Sequence, residues 1–280
     1  MEFLGARWSP QDGSHGVVDN WIVGNEVNSH WFWANQGEVG METFADDYVE
    51  TVRLAHDSLK RHSPGVRVYI SMEHHWNIRY PGGHERQAFA GRPFLEYFHR
   101  KAVVGGDFEW HLAFHPYPEN LFEPKTWMDK SATADVLTTP RITFRNLEVL
   151  PRYLEQSRFQ FQGRMRRILL SEQGFHTPSG PNGEVIQAAA YCYAWVKVQK
   201  LPGIEAFILH RHVDHGQEGG LKLGLWSRDE SAASPAAPKS QKRLYHVFKA
   251  AGTAEWRQAF EFALPVIGLR EWDAILSPLQ

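Results

Sequence analysis

The sequence predicts an α/β fold built on a parallel sheet. Short apolar runs recur at 21–24, 66–72, 108–115, 166–172 and 204–210. Each is followed by a longer stretch with the three- and four-residue apolar spacing of an amphipathic helix. The runs are mostly apolar rather than strictly alternating, as strands covered on both faces are.

The first run is Trp21 to Gly24. Met41, Phe44, Tyr48, Val52, Ala55 and Leu59 then mark one helix face, which stops at "KRHSPG" with basic residues in its last turn. "VRVYISM" is the second strand, rich in β-branched and aromatic residues, and "RPFLEYFHRKAVV" is its helix. "FEWHLAFH" leads into the loop "PYPENLFEP". "ITFRNLEVLPRYLEQ" reads as helical, kinked or broken at Pro151. "RRILLSE" is the fourth strand. The helix after it carries Ile186, Ala189, Tyr193 and Val196 on one face and stops at Pro202-Gly203. "IEAFILH" is the fifth strand, and "QKRLYHVFKAA" the last helix. "SRDESAASPAAPKSQ", 227–241, reads as an exposed loop. No linker interrupts the pattern, so 1–280 reads as a single domain.

Composition excludes several classes. A formal net charge of −2 and only short basic clusters (Arg164, Arg166 and Arg167; Lys242 and Arg243) give no footprint for nucleic acid or an anionic membrane. Those clusters are expected on solvated faces. No apolar window reaches the length of about 18 residues that a spanning helix needs, and the first residues lack a signal peptide's basic and apolar regions. The single cysteine, Cys192, lies in "AAAYCYAWV" and reads as a core thiol. No Gly-x-Ser-x-Gly elbow and no Gly-x-Gly-x-x-Gly after a strand is present. The 11 Trp are notable because clustered indoles near loops make flat platforms on which sugar rings stack.

Every strand hands over to polar residues: Asn25-Glu26, Glu73-His74-His75-Trp76, His115-Pro116-Tyr117, Glu172-Gln173 and His210-Arg211-His212. Parallel α/β folds bind ligands at the carboxyl ends of their strands. Two glutamates at matched positions suit glycoside hydrolysis, in which one carboxyl donates a proton and the other stays ionised.

"VGNEVN" and "ILLSEQGF" together resemble the clan A retaining glycosidases, a group built on a (β/α)8 barrel. In that clan an Asn-Glu pair ends the fourth strand and a Glu ends the seventh; here two strands lie between them, as the clan requires. The stretches "HPYPENLFEP" and "LSEQGFHT" are also similar to a poorly characterised barrel family within the group. The likeness covers about residues 18–250. It implies a TIM-type (β/α) barrel that is partial, with strands 4–8 and their helices, since only 20 residues precede Trp21. It implies Glu26 as acid/base, Glu172 as nucleophile, Asn25 on the sugar 2-OH, and His115 or Tyr117 against the nucleophile. The carboxyl groups are then expected about 5–5.5 Å apart. The fifth strand here ends in "LHRHVDH" without Trp; Trp226 in "LGLWSRD" is the aromatic candidate for that place. Trp31, Trp33, Trp76 and Trp226 are stacking candidates, and His75 and His212 hydroxyl binders. The implied partner is a carbohydrate, with no cofactor or metal.

Two other readings stay open. His210, His212, Asp214 and His215 in "HRHVDH", with His74-His75 on another strand end, offer ligands for Zn²⁺ in a metal-dependent hydrolase. A barrel that keeps the groove without the chemistry would bind carbohydrate only.

Overall fold

A computed structural model describes residues 1–9 and 14–276. Its elements in chain order are α1 (Glu2–Arg7), β1 (Asn20–Val23), α2 (His30–Trp33), α3 (Met41–His62), β2 (Arg67–Glu73), α4 (Gly91–Val104), β3 (Trp110–His115), α5 (Val149–Leu154), β4 (Ile168–Gln173), α6 (Gly183–Gln199), β5 (Ile204–Leu209), β6 (Trp226–Arg228), β7 (Pro238–Gln241), α7 (Arg243–Ala250), α8 (Trp256–Phe260) and α9 (Ala263–Ile267). The main sheet has the order β1–β2–β3–β4–β5, five parallel strands of a partial TIM-type (β/α) barrel. Consecutive strands lie side by side because each helical crossover returns the chain to the next place in the sheet.

Burial follows that order. β2 is buried from Val68 to Glu73 and β3 throughout. The outer strands β1 and β5 have no buried residue, and Ile22 and Ile208 are 40% and 50% exposed.

The chain divides into two compact units. The first comprises Met1–His115, Val136–Arg141 and Leu150–Leu169. Here α3 packs on β2 and α4 through the face expected of it: Phe44, Tyr48, Val52, Ala55 and Leu59 are buried. Leu112 donates its N–H to Arg167 O at 3.0 Å, which starts the β3–β4 ladder. Arg166, from a cluster expected on a solvated face, is 1% exposed. Its guanidinium pairs with Asp107 at 2.7 Å, donates to the Phe108 and Trp110 carbonyls and lies 4.0 Å from the Trp110 ring centroid. A buried arginine persists only when its donors are satisfied in this way.

The second unit comprises Pro116–Asp135, Ile142–Val149 and Leu170–Gln280. α6 is its centre, with α7 and α9 against it and Cys192 fully buried. Burial pushes that thiol well above its ordinary range, as expected of a core cysteine. Lys242, also expected on a solvated face, is 2% exposed and donates to Asp214 and Thr177.

Two further expectations change. The stretch 142–156 forms a short turn over Phe144–Asn146, closed by a Thr143 capping box, and then α5. The break precedes Pro151, which the first turn of a helix accommodates. The loop 227–241 carries an antiparallel ribbon, β6 with β7. Among the described residues no helix is long and apolar enough to cross a membrane.

Candidate active site

In the first unit, β1 ends at Gly24, whose φ of +78° is left-handed; an added Cβ would lie 2.9 Å from Val27 Cγ1. Glu26 is also left-handed, with φ 43° and ψ 51°. A residue with a Cβ resists that conformation, at a cost of about 1–3 kcal/mol that its surroundings must offset. Those surroundings lie mainly on β2. The Glu26 N–H donates to Ser71 Oγ at 3.0 Å, and the Tyr48 hydroxyl from α3 donates to Val23 O at 2.5 Å. The turn that follows, Val27–Ser29, is buried, and Asn28 Nδ2 and Ser29 Oγ donate to Glu73 Oε1 at 2.7 and 3.0 Å. Glu73 N–H returns a bond to Asn28 Oδ1 at 3.0 Å. Held this way, Glu26 brings Oε1 to 2.8 Å from Nδ1 of the buried His115 at the end of β3.

Glu73 also accepts from His75, through its N–H at 2.8 Å and Nδ1 at 2.5 Å. Burial alone would push this carboxyl up. The hydrogen bond and charge of His75, aided by His74, reverse that and hold it down at about 2. Trp76 corrects an expectation. It is fully buried, stacks edge-on to Tyr153 at 5.2 Å, and donates its indole N–H to Val136 O at 3.0 Å. It pins the segment 136–141 to the end of β2 and presents no face to a sugar. Trp31 and Trp33 are 42% and 53% exposed on α2.

In the second unit, Glu172 lies on β4, half-buried, and its Oε1 accepts from the Tyr117 hydroxyl at 3.0 Å. Tyr117, one of the two side chains expected against Glu172, makes this contact, and the other, His115, is bonded to Glu26. Gln173 donates to Ile208 O and accepts the His210 N–H at 2.8 Å, which joins β4 to β5. Gly174 is required there, because a Cβ would lie 2.2 Å from His210 O. His210 is bonded to Glu218 at 2.6 Å, and the His210–Arg211 peptide is cis. His212 is exposed, and its carbonyl accepts the Trp226 N–H at 2.9 Å; the Trp226 ring lies edge-on to Tyr245.

A family model described as "Family of unknown function (DUF5722)" matches residues 1–275. The chain belongs to this DUF5722 family. No curated protein matches it by sequence. Its fold is similar to that of a family 39 glycoside hydrolase from the gut symbiont Bacteroides cellulosilyticus WH2: TM-score 0.55, 13% identity, 87% of this chain and 42% of that one. It is also similar to a hyperthermophilic β-glucosidase from Pyrococcus furiosus, at TM-score 0.57 and 14% identity, over 95% of this chain and 60% of that one. The chain thus spans 42% and 60% of these two structures. At such identities the likeness concerns the fold.

Two of the residues of the zinc alternative already have partners. Asp214 Oδ1 is occupied by Lys242 Nζ at 2.9 Å and the Gly224 N–H at 2.7 Å, and His210 by Glu218. Among the described residues these two, His212 and His215 form no group of three donor atoms within reach of one ion. Glu73, His74 and His75 do lie that close. However, the Glu73 carboxylate already accepts four hydrogen bonds, which fills the roughly four lone-pair sites it has. Its donor set fits a hydrogen-bonded anchor better than a cation ligand.

Ser71, Asn28 and Ser29 escape a search for strand-end residues, and Glu73, which that search finds, is given no role by it. The signal for Ser71 and Glu73 is present: polar residues two apart, at 71, 73 and 75, on an otherwise apolar strand. That period places them on one face of β2.

Proposed function

We propose that the protein is a retaining glycoside hydrolase whose two carboxylates are Glu26 and Glu172. The observation that carries this reading is the support of each glutamate: both stand at the end of a parallel strand, and each meets one fixed side chain, His115 for Glu26 and Tyr117 for Glu172. In a parallel sheet all carboxyl ends share one edge, where α/β barrels place their chemistry. The glycoside hydrolase folds among the similar structures support the same class.

In the reaction, Glu172 attacks the anomeric carbon as Glu26 protonates the departing glycosidic oxygen. The C–O bond breaks, and a glycosyl ester forms on Glu172. Glu26, now a carboxylate, takes a proton from water. The water oxygen attacks the anomeric carbon and releases Glu172. Tyr117 bonds one oxygen of Glu172 and leaves the other for attack. Asn25 binds the sugar 2-OH, Trp31, Trp33 and Trp226 supply stacking surface, and His75 and His212 bind hydroxyls. The substrate is an oligo- or polysaccharide.

The test uses the full-length protein with a panel of 4-nitrophenyl glycosides and their 2-deoxy-2-fluoro counterparts carrying an activated leaving group. A hydrolysed glycoside should have a 2-fluoro analogue that inactivates the enzyme and leaves a fluoroglycosyl adduct on the peptide containing Glu172. An adduct on another residue, or hydrolysis untouched by Glu172→Gln, overturns the assignment.

A further inference from the structure

Of the three glutamates at the strand ends, Glu26, Glu73 and Glu172, Glu73 is the one to which the proposed retaining reaction assigns no step, yet four donors engage its carboxylate. It stands at the end of β2, 6% exposed. Two of those donors, Asn28 and Ser29, belong to the turn that begins immediately after Glu26. The other two belong to His75. One carboxylate therefore joins the turn carrying the proposed acid/base to an imidazole on the adjacent strand.

The His75 ring is constrained on several sides. Nδ1 faces Glu73 at 2.5 Å, the His74 ring centroid lies at 4.4 Å, and Tyr80 meets the ring edge-on at 5.6 Å. Backbone pairing with Arg141 fixes the strand end itself. An ionised carboxylate can only accept, so Nδ1 must carry the proton. In the neutral ring, Nε2 is then left as an acceptor, and among the described residues no hydrogen bond engages it. The tautomer follows from the second hydrogen bond a histidine makes, as it does for imidazoles held by carboxylates elsewhere.

We propose that Glu73 is a positioning residue that fixes His75 in the Nδ1–H tautomer, so that Nε2 accepts a hydrogen bond from a sugar hydroxyl, while the same carboxylate anchors the turn after Glu26. The hydroxyl contact rests on the glycosidase reading; the tautomer and the anchor do not.

The tautomer is read directly by long-range ¹H–¹⁵N NMR on the ¹⁵N-histidine-labelled full-length protein at alkaline pH, with His75 assigned from the signals lost in His75→Asn. Nδ1 should show the shift of a protonated nitrogen and Nε2 that of a bare one. The opposite pattern, or rapid averaging of the two, overturns the proposal. The second arm is kinetic. Asn at 75 retains a donor for Glu73 but lacks Nε2, so KM for the best 4-nitrophenyl glycoside should rise about tenfold, the worth of one hydrogen bond, with kcat within about twofold. An unchanged KM overturns the hydroxyl contact. If the wild-type protein hydrolyses no glycoside at all, the glycosidase reading fails, while the NMR experiment still decides the Glu73–His75 pair. That experiment needs only the wild-type fold.

Discussion

At the end of β1, Glu26 sits in a left-handed backbone tied to β2, and its carboxylate meets an imidazole. At the end of β4, Glu172 continues a regular strand, and its carboxylate meets a phenol. An imidazole is the side chain that gains and loses protons near neutral pH, whereas a phenol keeps its proton there and serves as a donor. The two glutamates therefore differ in the partner that holds them, as the two carboxyl groups of the proposed retaining mechanism differ in task.

The largest expected effect is at Glu172. Replacing it with Gln keeps the shape and the Tyr117 contact but removes the proposed nucleophile, so kcat should fall by about 10⁴-fold or more, as loss of a nucleophile does in other enzymes. The melting temperature should move by no more than a few degrees. Glu26→Gln should be less severe, about 10²–10⁴-fold for general acid/base loss. Azide, which needs no deprotonation to attack the glycosyl-enzyme, should restore turnover of aryl glycosides with good leaving groups. Azide rescue of Glu172→Gln in place of Glu26→Gln would exchange the two roles.

Their partners sharpen the contrast. Tyr117→Phe removes one hydrogen bond to a charged group, so a loss of roughly ten- to hundredfold in kcat is expected. That loss should be similar across pH 5–8, because a phenol there only donates. His115→Asn should change the shape of the pH–rate profile, since it replaces the imidazole bonded to the proposed acid/base. Identical profiles for the two variants would erase the distinction between the sites.

The buried titratable groups of the first unit make acid stability the next test. Burial holds His111 on β3 down at about 3, against an ordinary 6.5. The unfolded chain then binds a proton there from about pH 6.5 downward while the native chain does not, and stability falls over that range. Glu73 lies at about 2 against an ordinary 4.5, so its contribution is complete above about 4.5 and is lost as pH falls toward 2. Both have the same sign. Urea midpoints should fall from pH 7 to 4 by on the order of a few kcal/mol in unfolding free energy. A flat profile over that range would mean that His111 protonates in the native protein as readily as in the unfolded one.

What the sequence disclosed follows from the range of the interactions. β2 and β3 are apolar runs buried on both faces, and local pattern suffices to find them. The candidate glutamates Glu26 and Glu172 stand out because each lies where an apolar run stops. Trp76 is misjudged because its neighbours in sequence are polar, while its burial depends on Val136 and Tyr153, 60 and 77 positions away. Arg166 and Lys242 look like solvated charge for the same reason: Asp107 and Asp214 satisfy them from distant segments. Glu73 was in view as a strand-end acid, but its role depends on Asn28 and Ser29, 45 and 44 residues away.

Ser71 gives the smallest and most local way to probe how Glu26 is held. Its hydroxyl accepts the Glu26 N–H at 3.0 Å and lies on the β2 face that also carries Glu73. Ser71→Ala leaves one part-buried backbone N–H without that partner, at a cost of about 1–3 kcal/mol, measurable as a lower urea midpoint. The left-handed conformation of Glu26 is the strained element nearest to this bond, so relaxation there should be the cheapest response to its loss. The expected signature is therefore a drop in kcat larger than the stability change alone would bring at temperatures where the variant is fully folded, with Ser71→Thr recovering part of it. If Ser71→Ala lowers stability and leaves kcat untouched, the left-handed turn is held by Glu73 and Tyr48 alone, and the β1 end is less dependent on β2 than its hydrogen bonds imply.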